Sequence, residues 1–157
     1  MSAAGAWIAL PDVADLQLVS LLVPISKHVR ALLDLKLQDI GLEVGQDQLL
    51  LELSREKTQR SSKLAEKLAI RPSTLSKMAD KLAAKGFVMR EKTPDDRRLT
   101  ILRLTEEGGR MKDQVRRIHS SLNDELAVDL QVGESGRALE ALTAIADTLA
   151  RRLARLR

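Results

Sequence analysis

Two short runs of alternating polar and apolar residues interrupt a chain whose other patterns are helical. The runs cover residues 87–92 and 99–104, and Thr93-Pro94-Asp95-Asp96-Arg97-Arg98 lies between them. Alternation with a period of two is typical of half-buried strands. We therefore predict that residues 87–104 form a β-hairpin whose tip carries two adjacent arginines beside acidic residues.

Helical patterns occupy the chain on both sides of this hairpin. Apolar residues spaced three and four apart predict a first helix over about 13–39, where Pro24 bends the helix or marks its start and Gly41 ends it. A second helix opens at 45–47 and continues through Leu53. A short third helix covers 63–68, with Ser61 or Ser62 as its N-cap. The fold class expected is mainly α with a small β-hairpin.

Three more predicted helices complete the helical pattern. A fourth helix is predicted over 73–85, with Pro72 near its first position, Ser73 as a further cap candidate and Gly86 as its stop. A fifth helix begins after Thr105 as N-cap and runs to about residue 130. A break bracketed by Gly133 and Gly136 precedes the last helix, whose leucines recur in an i, i+3, i+4, i+7 stripe.

The composition excludes several classes of protein. With 157 residues, 44% of them hydrophobic and 31% charged, the chain is expected to be folded and to have a real core. It has no cysteine, which excludes disulfides and thiolate chemistry. No apolar run approaches the roughly 20 residues of a membrane span, so no membrane partner is expected. The first residues lack the basic region of a signal peptide, and a cytoplasmic location is expected.

Positive charge is concentrated in the middle of the sequence. Residues 55–103 contain 14 Lys and Arg and 6 Asp and Glu, which makes this block +8 in a chain whose total is +4. A one-sided basic block is the electrostatic signature of a phosphate-binding surface, although a solvated face explains many charge runs. Aromatic residues are almost absent, so stacking platforms for single strands are not expected.

The two helices that precede the hairpin have the spacing of a helix-turn-helix. A helical pair followed by a β-hairpin defines a winged helix-turn-helix, in which the second helix enters the major groove. Its polar face carries hydroxyl and ammonium groups that can bond to phosphates or base edges. These side chains are Ser73, Thr74, Ser76, Lys77 and Lys81.

Arginine at the tip of the hairpin can enter a narrow minor groove, where the negative potential is strongest. Arg97 is the residue expected to insert. Asp96 repels phosphate, so we expect it to pair with Arg98 or to cap the turn, which would hold the tip rigid.

Residues 44–112 resemble the MarR family of transcription regulators. The resemblance depends on an ordered series of pieces, each of them weak alone. They are Ser62-Lys63-Leu64-Ala65-Glu66-Lys67-Leu68, Pro72-Ser73-Thr74-Leu75-Ser76-Lys77, Asp80-Lys81-Leu82-Ala83-Ala84-Lys85-Gly86-Phe87-Val88, Thr93-Pro94-Asp95-Asp96-Arg97-Arg98 and Leu104-Thr105-Glu106-Glu107-Gly108. Val44-Gly45 departs from the Leu-Thr usual before the second helix, and Thr93 stands where aspartate is common.

The resemblance implies a homodimer that reads an inverted repeat in double-stranded DNA. Residues 1–43 and 105–157 would form the dimerisation helices, and 44–104 the winged helix-turn-helix domain. Asp96 and Arg98 match the wing-stabilising pair of the family. The residues predicted to contact DNA are Ser62, Pro72, Ser73, Thr74, Ser76, Lys77, Lys81 and Arg97.

Members of the family also bind small aromatic or phenolic effectors, which implies a ligand-responsive repressor. The ligand-binding candidates are His28, Arg30 and Lys36 on the first helix. The alternative, which is favoured on the residues alone, is that they are solvated or contact a second subunit. No cofactor and no metal site are expected, because two separate histidines do not make a zinc site.

The sequence leaves two alternatives to DNA binding. An enzyme is disfavoured because the chain lacks a glycine-rich phosphate loop, a GxSxG elbow and an HExxH pair. The other alternative is a winged-helix module that binds a protein and has no operator of its own. Such a module would show no salt-sensitive affinity for any duplex.

Overall fold

The computed structural model describes residues 17–92, 100–128 and 134–156. The chain separates into two compact units, Met1–Val44 and Gly45–Arg157. The predicted tip of the hairpin, with Asp96, Arg97 and Arg98, lies outside the described residues.

Among the described residues of the first unit there is one long helix, α1 (Leu18–Gln38). Pro24 lies inside α1 and does not mark its start. A proline there removes one backbone hydrogen bond, which the rest of a 21-residue helix tolerates. After α1 the chain turns through Gly41, whose φ of +72° is in the left-handed region that favours glycine.

The second unit contains five helices and three strands among its described residues. The elements are α2 (Gln46–Glu52), β1 (Gln59–Arg60), α3 (Ser61–Lys67), α4 (Pro72–Ala84), β2 (Val88–Lys92), β3 (Thr100–Leu104), α5 (Glu106–Val128) and α6 (Glu134–Ala154). The predicted class, mainly helical with a small β-hairpin, is confirmed. The strand β1 was not predicted, because a two-residue strand in a polar segment has no periodicity to read.

Several predicted helix ends were wrong. Helix α3 starts at Ser61 with Arg60 as N-cap and no side-chain cap, so the serines lie in its first turn. Helix α4 begins at Pro72, after Arg71 as N-cap, and Ser73 is not a cap. Gly136 lies inside α6 and does not bracket a break. The predictions began each helix after a favoured capping or turn residue, whereas each helix in the structure begins earlier in the sequence.

The predicted end of α4 and start of α5 are confirmed. Gly86 has a φ of +76°, and the N–H of Phe87 reaches back to the Leu82 carbonyl at 3.0 Å, which closes α4. Thr105 Oγ1 accepts the N–H of Gly108 at 2.9 Å and donates to the Gly86 carbonyl at 2.6 Å. One threonine hydroxyl therefore joins the end of α4 to the start of α5.

The three strands form one antiparallel sheet in the order β1-β3-β2. Leu102 on β3 lies between Gln59 on β1 and Arg90 on β2, and Ile101 lies between Arg60 and Glu91. Because neighbouring residues on a strand point to opposite faces, the Leu102 row faces the core and the Ile101 row faces outward. This register decides which charged side chains of the hairpin can reach the helices.

A single apolar core lies between the helices and the inner face of the sheet. In this second unit, hereafter the lobe, the buried apolar side chains come from α2, α3, α4, α5, β2 and β3, and none comes from β1 or from the described side chains of α6. Helix α5 packs on α2 with residues about one turn apart. The fully buried side chains of this unit include Leu49, Leu50, Leu53, Leu64, Leu75, Leu82, Leu102 and Val115.

Two polar links hold α5 against both ends of α2. At one end Asp47, which is buried, accepts the Gly45 N–H at 2.8 Å and lies 3.0 Å from His119 Nε2. At the other end Lys112 Nζ donates to the carbonyls of Leu51 and Leu53, both at 2.6 Å. Burial, with a smaller contribution from Arg116, lowers the pKa of Lys112.

Replacing Lys112 with Met should lower the free energy of unfolding by about 1–3 kcal/mol, because two half-buried carbonyls lose a charged donor. Arg117→Met is the matched control on an exposed position of the same helix, and we expect a change within about 0.5 kcal/mol. Urea denaturation at constant pH measures both values. Equal stability of the two variants would show that the Lys112 link contributes nothing.

Candidate nucleic-acid interface

Helix α4 separates its side chains into three faces. With about 100° per residue, Ser73, Lys77, Lys81 and Thr74 fall within one arc of about 100°. All four are exposed. Leu75, Ala79 and Leu82 lie on the opposite side and are buried. The helix therefore presents a compact polar face of two hydroxyls and two ammonium groups to solvent.

The third face of α4 contacts the hairpin. Asp80 forms an ion pair with Arg90 of β2, and Arg90 Nη2 also donates to Ser76 Oγ at 3.2 Å. Arg90 reaches α4 because it occupies the inner row of the sheet, opposite Leu102. One arginine thus joins the base of the hairpin to the middle of α4.

Ser76 consequently differs from the other predicted contact residues on α4. Its side chain is half-buried and its hydroxyl already accepts a bond from Arg90, so it faces the hairpin. Ser73, Thr74 and Lys77 are exposed in the first turns of the helix. The structure therefore places Ser76 beside the polar face of α4 and not on it.

A small cleft of about 110 Å³ joins the starts of α3 and α4 to the hairpin. Its polar lining comes from Ser61 and Ser62 of α3, Ser76 of α4 and Arg90 of β2. Ser62 is exposed and Pro72 lines the same cleft at the first position of α4. The cleft shows that the first turns of both helices open onto one side of the lobe, where we predicted DNA contacts.

The cations of this lobe fall into two groups. Lys67 pairs with Glu52, Arg90 with Asp80, and Arg103 with Glu91 at 3.7 Å. Arg71 and Lys77, by contrast, are exposed and form no ion pair with any residue in the described part of the chain. The paired cations stabilise the lobe, while the unpaired ones are available to an external anion.

The sequence analysis did not predict a role for Asp80 or Arg90, which join α4 to the hairpin. The signal was present, since Arg90 occupies an inward position of an alternating strand, where an apolar residue is expected. Such a charged residue needs a partner. The aspartate ten positions earlier, on the preceding helix, could have been proposed for that role.

The three ligand-binding candidates do not come together on α1. His28 and Arg30 are about 160° apart around the helix and are both exposed, whereas Lys36 is half-buried. His119, the second histidine, is bonded to Asp47 and lies on α5. The role of the three residues in binding a ligand stays a prediction.

The fold and its exposed polar helix define a winged helix-turn-helix protein. The sequence model of the MarR family matches residues 42–100. The chain therefore carries a MarR family domain, and its predicted relationship to the MarR family of transcription regulators is confirmed. Within the described residues, no helix is long and apolar enough to span a membrane.

One individual relative is also similar in sequence to this chain. An uncharacterized HTH-type transcriptional regulator, YhbI of Bacillus subtilis, is 32% identical over 84 residues, which are 54% of each chain. The match thus spans about half the length of that relative.

Solved structures extend the similarity of fold beyond the matched domain. A crystal structure of MarR has a TM-score of 0.79 and 24% identity, covering 90% of this chain and 96% of that one. A mutant MarR from E. coli complexed with operator DNA has a TM-score of 0.73 and 23% identity, covering 83% and 94%. At these identities the structures show a shared fold.

Proposed function

We propose that this protein is a homodimeric transcription regulator that binds a pseudo-palindromic operator in double-stranded DNA. The observation that carries the proposal is the exposed face of α4, where Ser73, Thr74, Lys77 and Lys81 share one arc of the helix. Hydroxyl and ammonium groups at that position suit both phosphates and base edges in a major groove. A MarR protein of similar fold is complexed with operator DNA, which supports DNA as the partner of this chain.

A second copy of the chain is proposed to cover two apolar helix faces. Helix α6 has no buried residue among its described side chains, although Leu139, Leu142, Leu149 and Leu153 form one stripe and are 48–67% exposed. Helix α1 likewise exposes apolar side chains over most of its length, namely Leu18, Val19, Leu21, Val23, Ile25, Leu32 and Leu35. Exposed patches of this extent are typical of protein interfaces.

Repression is the regulatory effect that we propose, because a dimer bound to its operator excludes other proteins from the DNA it covers. An aromatic or phenolic effector is proposed to release it, as the family resemblance implies. The protein would then act in the cytoplasm, where such an operator is accessible. A reporter gene behind a selected operator tests repression, and a thermal-shift screen of aromatic acids tests the effector.

The direct test of DNA binding is selection of duplexes from a random pool by the purified protein, followed by gel-shift titration at several salt concentrations. We expect a pseudo-palindrome with half-site centres about one helical turn apart. We also expect an affinity that falls steeply with salt. Absence of salt-sensitive affinity for every duplex would contradict the proposal and favour a module that binds protein.

Arg97→Ala tests the wing. We expect the affinity for the selected duplex to fall by about tenfold or more, with the dimer intact, because a groove-inserted arginine is lost. Lys92→Ala is the control, since it removes an exposed cation from the same hairpin, at the end of β2. A gel shift that shows equal losses for both variants would indicate a general effect of charge, and unchanged affinity of Arg97→Ala would contradict insertion.

A further inference from the structure

A patch of exposed basic residues lies beside the start of α3. It consists of Lys57, Arg60 and Lys63, which we call the edge patch. All three side chains are exposed, and none forms an ion pair with a residue in the described ranges. No acidic residue occurs in the sequence between Glu56 and Glu66.

The strand β1 sets the direction of the patch. Gln59 points inward and donates from Nε2 to the Glu52 carbonyl at 2.5 Å. Arg60, the next residue, therefore points to the outer face, in the same row as Ile101. The inward bond of Gln59 holds the arginine away from the core and towards solvent.

The patch surrounds a concave surface. A depression of about 380 Å³ is lined by Thr58, Gln59, Arg60 and Lys63. Two cations and a threonine hydroxyl around one depression provide donors for phosphate oxygens. Glu91, which also lies on the outer row of the sheet, is paired with Arg103, so its charge is partly neutralised.

The patch adjoins the side of the lobe onto which α3 and α4 open. Ser61 and Ser62 lie between Arg60 and Lys63 in the sequence, and both line the cleft beside the first turns of α4. Through Ser61 and Ser62 of α3, the edge patch therefore adjoins the cleft beside the first turns of α4. A duplex presents one phosphate charge per 1.7 Å or so of its axis, so a helix-bound duplex offers further phosphates to a neighbouring patch.

We propose that the edge patch binds the phosphate backbone of the duplex outside the bases read by α4. This proposal rests on the proposed function and adds a second contact surface to it. A free phosphate compound has the same chemistry as a backbone phosphate, so the experiment must distinguish the two sources. Contacts to phosphates carry no sequence information directly, so the patch would contribute to affinity and salt dependence.

The test compares the wild-type protein with the triple variant Lys57→Gln, Arg60→Gln, Lys63→Gln. The control variant is Arg151→Gln, Arg152→Gln, Arg155→Gln, which removes the same charge from exposed positions at the end of α6. Binding is measured by fluorescence anisotropy over a salt series, using the selected duplex with short flanks and with flanks extended by one helical turn.

For the triple variant we expect the slope of log K against log[salt] to decrease in magnitude by about 0.9 for each cation that contacts a phosphate. We also expect extended flanks to increase the affinity of the wild type and the control, but not of the triple variant. A slope and a flank effect equal to those of the control would overturn the proposal while leaving DNA binding by α4 intact. Failure of the wild type to bind any duplex would instead overturn the proposed function.

A measurement with inorganic phosphate and without DNA tests whether the edge patch binds a free phosphate compound. We expect phosphate to change the melting temperature of the wild type and the triple variant equally, relative to chloride at the same ionic strength. A phosphate-dependent increase that the triple variant loses, together with an unchanged salt slope, would assign the patch to a free phosphate compound and overturn the duplex proposal.

Discussion

Gly108→Ala is expected to destabilise the protein by about 3 kcal/mol, at the upper end of the range for overpacking. A Cβ atom at position 108 would lie 1.8 Å from the carbonyl oxygen of Phe87 and 2.8 Å from its carbonyl carbon. These are backbone atoms, so the strain cannot be relieved by rotating a side chain. Either α5 or the start of β2 must move.

Hydrogen bonds around this contact increase the loss of stability expected for Gly108→Ala. The Phe87 carbonyl accepts the N–H of Thr105 at 3.1 Å, and the Thr105 hydroxyl caps Gly108 itself. Moving the carbonyl away from a new methyl group therefore weakens the junction between the hairpin and α5. We expect reduced DNA affinity as well, because the base of the wing shifts.

The neighbouring glycine provides a matched control. A Cβ at position 109 would meet only the side chain of Arg55, at 3.1 Å from Cδ, and that flexible chain can move aside. Gly109→Ala should thus be neutral or stabilise by up to about 1 kcal/mol, the usual gain in a helix interior. Thermal unfolding measures the difference, with a decrease in Tm of roughly 10 °C expected for Gly108→Ala. Equal melting temperatures would contradict the close approach.

Leu142→Asp is the second change with a large expected effect, because it places a carboxylate in the middle of the apolar stripe of α6. Leu142 is 48% exposed in the single chain, so the substitution creates no cavity in the core. If a second copy covers the stripe, two carboxylates become buried in a symmetric interface. Burying an unpaired ion costs several kcal/mol, so we expect the dimer dissociation constant to rise by about 10³-fold or more.

Ala144→Asp is the control for this prediction. Residue 144 is exposed and lies about 200° around α6 from Leu142, so it receives the same carboxylate on the polar side of the helix. Sedimentation equilibrium should show a dimer for the wild type and for Ala144→Asp, and a monomer for Leu142→Asp. The monomer should bind one half-site weakly and lose high affinity for the full palindrome.

Two results would contradict the proposed interface. A dimer of unchanged strength in Leu142→Asp would show that the stripe of α6 is not buried between subunits. Equal dissociation of both variants would indicate that charge on α6 matters and the apolar stripe does not. Far-ultraviolet circular dichroism of each variant serves as the control that the total helix content is unchanged.

Local periodicity determined much of the fold. The hairpin, the helices α4 and α5, the stop at Gly86 and the cap at Thr105 each depend on residues within one or two turns of one another. Such short-range signals are readable because a strand or helix places side chains at fixed intervals. The order of the motifs also indicated the MarR family, which the sequence comparison confirmed.

Contacts between distant residues were not readable in the same way. The strand β1 exists because Gln59 and Arg60 pair with Leu102 and Ile101, more than forty positions later. The bonds from Lys112 to Leu51 and Leu53 likewise depend on how α5 packs across α2. Nothing in the local pattern around these residues specifies such partners.

The hairpin that interrupts the helical pattern shows what local periodicity predicts and what packing adds to it. Alternation within residues 87–104 determined by itself that two strands flank a basic tip, because the period of two reports a half-buried sheet. Only the tertiary structure decided that Arg90 bonds to Asp80 and Ser76, and that Gly108 lies against the Phe87 carbonyl. The physical reason is that periodicity sets which side of an element is buried, whereas packing sets what that side meets.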